Sequence, residues 1–178
     1  MEDFDRDKYK NLMHHVIHQA GERDGFGLTK LFKILWFFEA RRFVTDGEIF
    51  SGARYTRDEH GPRPKVAYAL LEEMKASGDI VVKEEPFGSR RLKRPVAKRP
   101  PRQGLLNETQ ARDLRYWIDY VTSKTAEAIS EESHNYGWEI IPQGEDIPLV
   151  ALLAERTRPA QGKELAWAMH RAKELGLP

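Results

Sequence analysis

Residues 28–43, LTKLFKILWFFEARRF, constrain the fold of this chain more than any other stretch. Their apolar members occupy nearly the whole circumference of a helix: Leu31, Phe32, Ile34, Leu35, Trp36, Phe37, Phe38 and Phe43. A helix that is apolar on all sides has to be surrounded by other elements. The stretch is shorter than the roughly 20 apolar residues that cross a bilayer, and charges flank it. We therefore predict a buried central helix that the rest of the chain covers.

The composition narrows the class of protein. A chain of 178 residues with 40% hydrophobic and 32% charged residues suits one soluble domain with a real core. The net charge of +1 gives no global preference for nucleic acid or a membrane. The absence of cysteine excludes disulfides, thiol catalysis and thiolate metal sites. The charged start, MEDFDRDKYK, does not resemble a signal peptide, so a cytoplasmic location is expected.

The remaining chain shows helical periodicity interrupted by one β run. Helices are predicted over 4–20, 64–77, 108–130 and 161–175, with Pro64 well placed to start the second of them. Residues 48–57 are either a short strand or an ordered loop. Segments 80–82 and 92–96 are predicted to pair as a β-hairpin, so three helices precede a hairpin, as in a winged helix. We predict an α+β, predominantly α-helical fold, with residues 1–178 forming a single domain.

A dense basic run lies within residues 83–104, which we predict to form a hairpin or loop. Its cations are Lys83, Arg90, Arg91, Lys93, Arg94, Lys98, Arg99 and Arg102. Pro95, Pro100 and Pro101 argue against regular structure in its second half. Clustered Lys and Arg suit phosphate contacts, which favours a winged-helix nucleic-acid-binding protein or autorepressor. Glu72 and Glu73 in the preceding helix argue against this hypothesis.

The sequence offers acid–base groups but no arrangement typical of an enzyme. Asp58, Glu59, His60 and His134 are the candidates, and no nucleophile elbow, Walker loop, dinucleotide fingerprint or HExxH motif accompanies them. We therefore predict a protein that is not an enzyme and holds no cofactor and no metal. A third hypothesis is a protein-binding module, because aromatic residues outside the helices are the type that anchors interfaces. These are Phe50, Tyr55, Phe87, Tyr136 and Trp138.

Three short segments recur in the order known from one protein family. KLFKILWF at 30–37 is followed by GARY at 52–55 and by GPRP at 61–64. Further along, Ser133-His134 and Trp138 follow the long predicted helix. This pattern resembles the Panacea domain, the SocA-like antitoxin family, with its KLxKLLYF-type helix, G-x-x-[YF] segment and YGPV-P turn. His60 stands where the family usually has tyrosine, and Arg63 where it usually has valine.

The resemblance implies a non-enzymatic, mostly helical cytoplasmic antitoxin, often associated with a phage or plasmid. It implies a cognate protein toxin as partner, bound directly, and in an adaptor role also a protease or its unfoldase. The positions that match the family pattern are Arg54, Tyr55, Gly61, Pro62, Pro64, His134 and Trp138. Together with His60, which departs from the pattern, they are the candidates for partner binding. We further expect His134 to pack beside the turn at 61–62, and Arg54 and His134 to share a buried hydrogen-bond network.

Overall fold

The computed structural model describes residues 4–154 and six isolated positions beyond them, residues 162, 166, 169–171 and 173. The elements of the continuous stretch are α1 Arg6–Ala20, α2 Leu28–Asp46, β1 Tyr55–Asp58, β2 Gly61–Pro64, α3 Ala67–Ala76, β3 Ile80–Phe87, β4 Arg90–Ala97, α4 Glu108–Thr122, α5 Ala126–Glu132, α6 Tyr136–Ile140, β5 Asp146–Ile147 and α7 Ala151–Ala154. The fold is α+β with small antiparallel sheets. The helix predicted for 161–175 lies, apart from the isolated positions, outside the described residues.

The helix α2 buries apolar and charged side chains alike. It begins after Gly27 and ends at Gly47, whose φ of +68° is the left-handed conformation that often terminates helices. It packs against α1, α4, α5 and β2. Its buried side chains include Lys30, Lys33, Glu39 and Arg42 beside seven apolar ones. A buried charged group is stable only with a polar partner, so the elements that pack on α2 have to supply hydrogen-bonding groups to these four residues.

A hairpin of β1 and β2 follows α2. Its pairing runs from Tyr55–Pro64 to Asp58–Gly61, with a two-residue turn. Pro64 was predicted to start a helix, but it is the last residue of β2, and α3 begins only at Ala67. That prediction was wrong because β2 is an edge strand, where a residue without an N–H is tolerated. β5 pairs with the other side of β1, which gives the strand order β2–β1–β5.

The second hairpin, β3–β4, is longer than predicted and carries most of the basic run. Its pairing extends from Ile80–Ala97 to Phe87–Arg90, so Pro95 lies inside a strand. The expectation of irregular structure was therefore wrong as far as Ala97. A two-stranded sheet leaves each strand one free edge, and proline is tolerated there.

The β3–β4 hairpin is docked on the loop between α1 and α2. Arg94 donates hydrogen bonds to the carbonyls of Gly21, at 3.1 Å, and Arg23, at 2.7 Å. Leu92 lies so close to Gly27 that a Cβ on that glycine would overlap it. The glycines of this loop therefore allow the hairpin to approach the backbone closely.

The helix predicted over 108–130 is two helices. α4 ends at Thr122, and α5 begins at Ala126 after Thr125, whose hydroxyl accepts a hydrogen bond from the amide of Ala128. The apolar pattern continues across the break, so periodicity alone predicted one helix. The threonine that caps α5 is the local signal that the prediction missed.

Candidate functional site

The turn between β1 and β2 is held from below by α2 and from the side by the segment between α5 and α6. Gly61 has a φ of +92°, and a Cβ placed on it would lie 2.6 Å from Lys33 Nζ. The same Cβ would lie even closer to Ser133 Oγ and 3.2 Å from His134 Cδ2. His134 therefore packs beside this turn, as expected. Glycine is needed here both for its backbone conformation and for the space it leaves.

Lys33 reaches from α2 to the strand after the turn. Its side chain is 2% exposed, and Nζ donates a hydrogen bond to the carbonyl of Pro62 at 3.2 Å. Burial lowers the pKa of Lys33 to about 7, and the attraction of Asp58 opposes this shift only in part. Among the described residues no carboxylate forms an ion pair with Lys33. Lys33 thus fixes β2 on α2 at the cost of a buried amino group.

Ser133, His134 and Trp138 connect the other side of the turn to α6. Ser133 Oγ donates a hydrogen bond to the carbonyl of Ser130 at 2.6 Å. The rings of His134 and Trp138 are stacked, with centroids 3.6 Å apart and planes at 5°. Trp138 Nε1 donates to the carbonyl of Asp58 at 3.1 Å. These contacts bind the α5–α6 segment to the hairpin.

The arginine at this stack is Arg57 and not Arg54. The Arg54 side chain is exposed and lies 3.8 Å from Asp146, so the expected buried network of Arg54 with His134 was wrong. The guanidinium of Arg57 lies over the Trp138 ring at 4.4 Å. Successive side chains of an extended segment point to opposite faces, so residues 54 and 57 lie on opposite sides. The sequence pattern does not show which of these sides faces α6, and for that reason it did not distinguish Arg54 from Arg57. Burial, and secondarily the nearby Lys33 charge, lowers the pKa of His134.

Tyr55, the aromatic residue of the second family segment, belongs to a buried polar cluster. Its hydroxyl donates to Glu39 at 2.6 Å and is 3.1 Å from the hydroxyl of Tyr9. Ser51 Oγ also donates to Glu39. Burial raises the pKa of Glu39 to about 7, although the hydrogen bonds from Ser51 and Tyr55 oppose the shift. Glu39 was missed because the sequence does not show that Tyr55 and Ser51 meet this acid, which lies 12 or more residues away from either.

His60 occupies a different surface from His134. It lines a groove of about 230 Å³ together with Lys33, Asp58, Arg63 and Tyr68, whereas His134 does not line it. Asp58 and Arg63 form an ion pair across the hairpin. In the described part of the chain, no three histidine or acidic side chains are placed to hold a metal ion. Pro62 and Pro64 are buried in β2 and act as part of the packed hairpin.

Within the basic run, the predicted contact surface consists of six cations and is only partly free: Arg90, Arg91, Lys93, Arg94, Lys98 and Arg99. Arg94 is engaged with Glu85 and the α1–α2 loop, Arg90 lies 3.3 Å from Glu127, and Arg91 lies 3.3 Å from Glu84. The remaining cations of the set, Lys93, Lys98 and Arg99, are exposed and have no ion pair with a described residue.

The end of the basic run is fixed to α1. His14 Nε2 donates to the carbonyl of Arg99 at 3.0 Å, and His15 Nε2 to that of Arg102 at 2.9 Å. Both histidines therefore have a structural hydrogen bond to the backbone of this segment.

A comparison with protein families matches residues 31–139 to the model described as antitoxin SocA-like, Panacea domain. The chain belongs to this family. The match begins inside α2 and ends within α6, so it contains both the Gly61 turn and the His134–Trp138 stack that packs against it. No curated protein and no solved structure matches this Panacea protein. None of the described helices has the length and apolar character to cross a membrane.

Proposed function

We propose that this Panacea protein is the antitoxin of a toxin–antitoxin pair and neutralises its toxin by direct binding. The observation that carries the proposal is the family match over residues 31–139. The site geometry supports binding over catalysis, since Lys33 and Ser133 are buried and each donates a hydrogen bond to a backbone carbonyl. The proposal includes a cytoplasmic location and an association with phage or plasmid genes, both implied by the family resemblance.

The test is co-expression with the products of the neighbouring reading frames. One neighbour is expected to stop growth when expressed alone, and this chain is expected to restore growth and to co-purify with that product. A version of the gene with an early stop codon is the matched control, because it keeps the transcript and removes the protein. The proposal fails if neither neighbour is toxic, or if growth returns without a complex.

The mode of neutralisation is part of the same proposal. An antitoxin that blocks its toxin leaves the toxin level unchanged, whereas an adaptor delivers the toxin to an ATP-dependent protease. We propose that the half-life of the toxin distinguishes the two modes. A half-life that shortens when this chain is present, and recovers in a host lacking the protease, indicates the adaptor mode.

A second proposal is a winged-helix-like nucleic-acid-binding function, including autorepression. It is supported by the succession of α3 and the β3–β4 hairpin. It is also supported by the exposure of Lys93, Lys98 and Arg99, which form no ion pair within the described part of the chain. Contacts from three such cations predict that log K falls with log salt with a slope of about −3 for duplex DNA. Titration of the chain's own promoter fragment at two salt concentrations tests it, and binding without salt dependence contradicts it.

A further inference from the structure

An apolar groove lies between α2, α4 and α7, on a surface separate from the groove that contains His60. It has a volume of about 220 Å³, and its walls include Phe37 and Val44 of α2, Trp117 of α4 and Leu152 of α7. We call it the aromatic groove. Its lining is mainly apolar although it is open to solvent. An open apolar concavity of this kind is typical of surfaces that bind another molecule.

Phe37 and Trp117 line the aromatic groove and belong to a cluster of four aromatic rings that extends out of it to Tyr116 and Tyr120. Phe37 and Trp117 are parallel, with centroids 5.0 Å apart and planes at 13°. Tyr116 and Tyr120 both pack edge-on against Trp117 and stack on each other at 5.9 Å. Tyr116 is nevertheless 57% exposed. The cluster is therefore rigid and held by its own members, which limits the entropy lost when a partner covers it.

The rim of the aromatic groove carries an exposed cation, Arg41. Arg41 lines the groove, is exposed, and forms no ion pair with any residue that the structure describes. Its neighbour Arg42 is different, because it is buried and paired with Glu48 and Asp113. Glu132 on the opposite wall is already bound by Lys124 and by the Tyr120 hydroxyl.

A second exposed cation lies on α4, the helix that carries Trp117. Arg112 is exposed on α4, one helical turn before Tyr116, and has no ion pair with a described residue. An apolar concavity with stacked aromatic rings and, at its rim, an arginine that has no ion pair with a described residue is complementary to an apolar side chain with a carboxylate beside it.

We propose that the aromatic groove is the surface that binds the toxin, and that it receives an apolar side chain of the toxin adjacent to an acidic residue that pairs with Arg41. The inference rests on the proposed antitoxin function and specifies its interface. Rigid aromatic anchors and arginine are the residues that most often dominate the free energy of protein binding. The family residues at the Gly61 turn then hold α2 and α6 in place and do not contact the toxin.

The test measures the affinity of the full chain for the toxic product of the neighbouring reading frame. Tyr116→Ala and Arg41→Glu are expected to raise the Kd by at least about tenfold, which is about 1.4 kcal/mol. The matched controls are Tyr68→Ala, a tyrosine 54% exposed on the other groove, and Lys75→Glu, an exposed cation of α3. The controls are expected to change the Kd less than twofold. Reversing the paired acid of the toxin to arginine should restore binding to Arg41→Glu.

The failure of this inference differs from the failure of the antitoxin function. If the complex forms and all four variants bind as tightly as the unmodified chain, the aromatic groove is not the interface, although the antitoxin function stands. If no neighbouring product is toxic, the antitoxin function fails. The groove is then judged with a displayed library of random 12-residue peptides. Selection of apolar–acidic peptides that Tyr116→Ala abolishes supports the groove, and selection unaffected by Tyr116→Ala, or no selection, overturns it.

Discussion

Replacing Gly61 with alanine is expected to destabilise the protein by about 2–5 kcal/mol, from two separate costs. A residue with a Cβ in a left-handed conformation costs about 1–2 kcal/mol, and the φ of Gly61 is +92°. The added methyl group would also lie 2.6 Å from Lys33 Nζ and closer still to Ser133 Oγ. Overpacking of a buried site costs about 1–3 kcal/mol, and both neighbours are at most 2% exposed.

Gly104→Ala is the matched control, because Gly104 has a φ of +81° and no atom would come within 4 Å of its Cβ. It should cost only the backbone term, about 1–2 kcal/mol. Alanine restricts the unfolded chain equally in both variants, so that contribution cancels in the difference. Urea unfolding measures both free energies. Adding Ser133→Ala to the Gly61 variant should recover part of the loss, with a coupling of about 0.5–3 kcal/mol. Equal costs for Gly61→Ala and Gly104→Ala would refute the packing explanation.

Three further predictions concern buried charges and the docked hairpin. In the folded state the pKa of Glu39 is raised from 4.5 to about 7, so the folded state keeps this proton at a pH where the unfolded chain has lost it. The free energy of unfolding should therefore fall as pH rises from 4.5 to about 7. Glu39→Gln should remove this slope in urea unfolding. In the folded state the pKa of Lys33 is lowered from 10.5 to about 7, so the unfolded chain binds this proton more tightly. The free energy of unfolding should therefore rise as pH rises from about 7 to 10.5, and Lys33→Met should flatten this rise. An unchanged slope would count against a buried amino group. Arg94→Met should lower the free energy of unfolding by about 1.5–3 kcal/mol and speed amide exchange in β3–β4, because it removes two charged hydrogen bonds to backbone carbonyls. The control Lys93→Met changes an exposed residue and should alter the free energy of unfolding by less than about 0.5 kcal/mol.

Local signals predicted the elements that depend on nearby residues. The apolar run at 28–43 predicted the helix α2, because helical periodicity is expressed within a few residues. The break between α4 and α5 could have been predicted from the sequence, because Thr125 is a local N-cap signal for the start of α5. Pro64 was misassigned because a proline that ends an edge strand and one that starts a helix look alike until the partner strand is known.

The candidate site depended on contacts far apart in sequence. The motif residues near 55, 61 and 134 were identified from the family pattern, and the packing of His134 beside the turn at 61–62 was predicted. The partner of Tyr55 and the arginine that contacts Trp138 were not predicted. The tertiary structure alone shows that Glu39 accepts a hydrogen bond from Tyr55 and that Arg57 lies over the ring of Trp138. Neither partner follows from periodicity, because the face that a strand residue takes is decided by the register of the hairpin.

The sequence by itself determined the α+β class, the helix at 28–43 and the family to which the chain belongs, since each is expressed in short segments or in their order. Tertiary structure alone decided that the basic hairpin is docked, that Lys33 is buried without an ion pair to any described residue, and that Phe37 and Trp117 line an open aromatic groove. The physical reason is that the burial and pairing of a side chain depend on which distant element covers it. Two helices with the same apolar pattern can pack against each other completely or can leave an open groove between them, and the pattern does not distinguish the two arrangements.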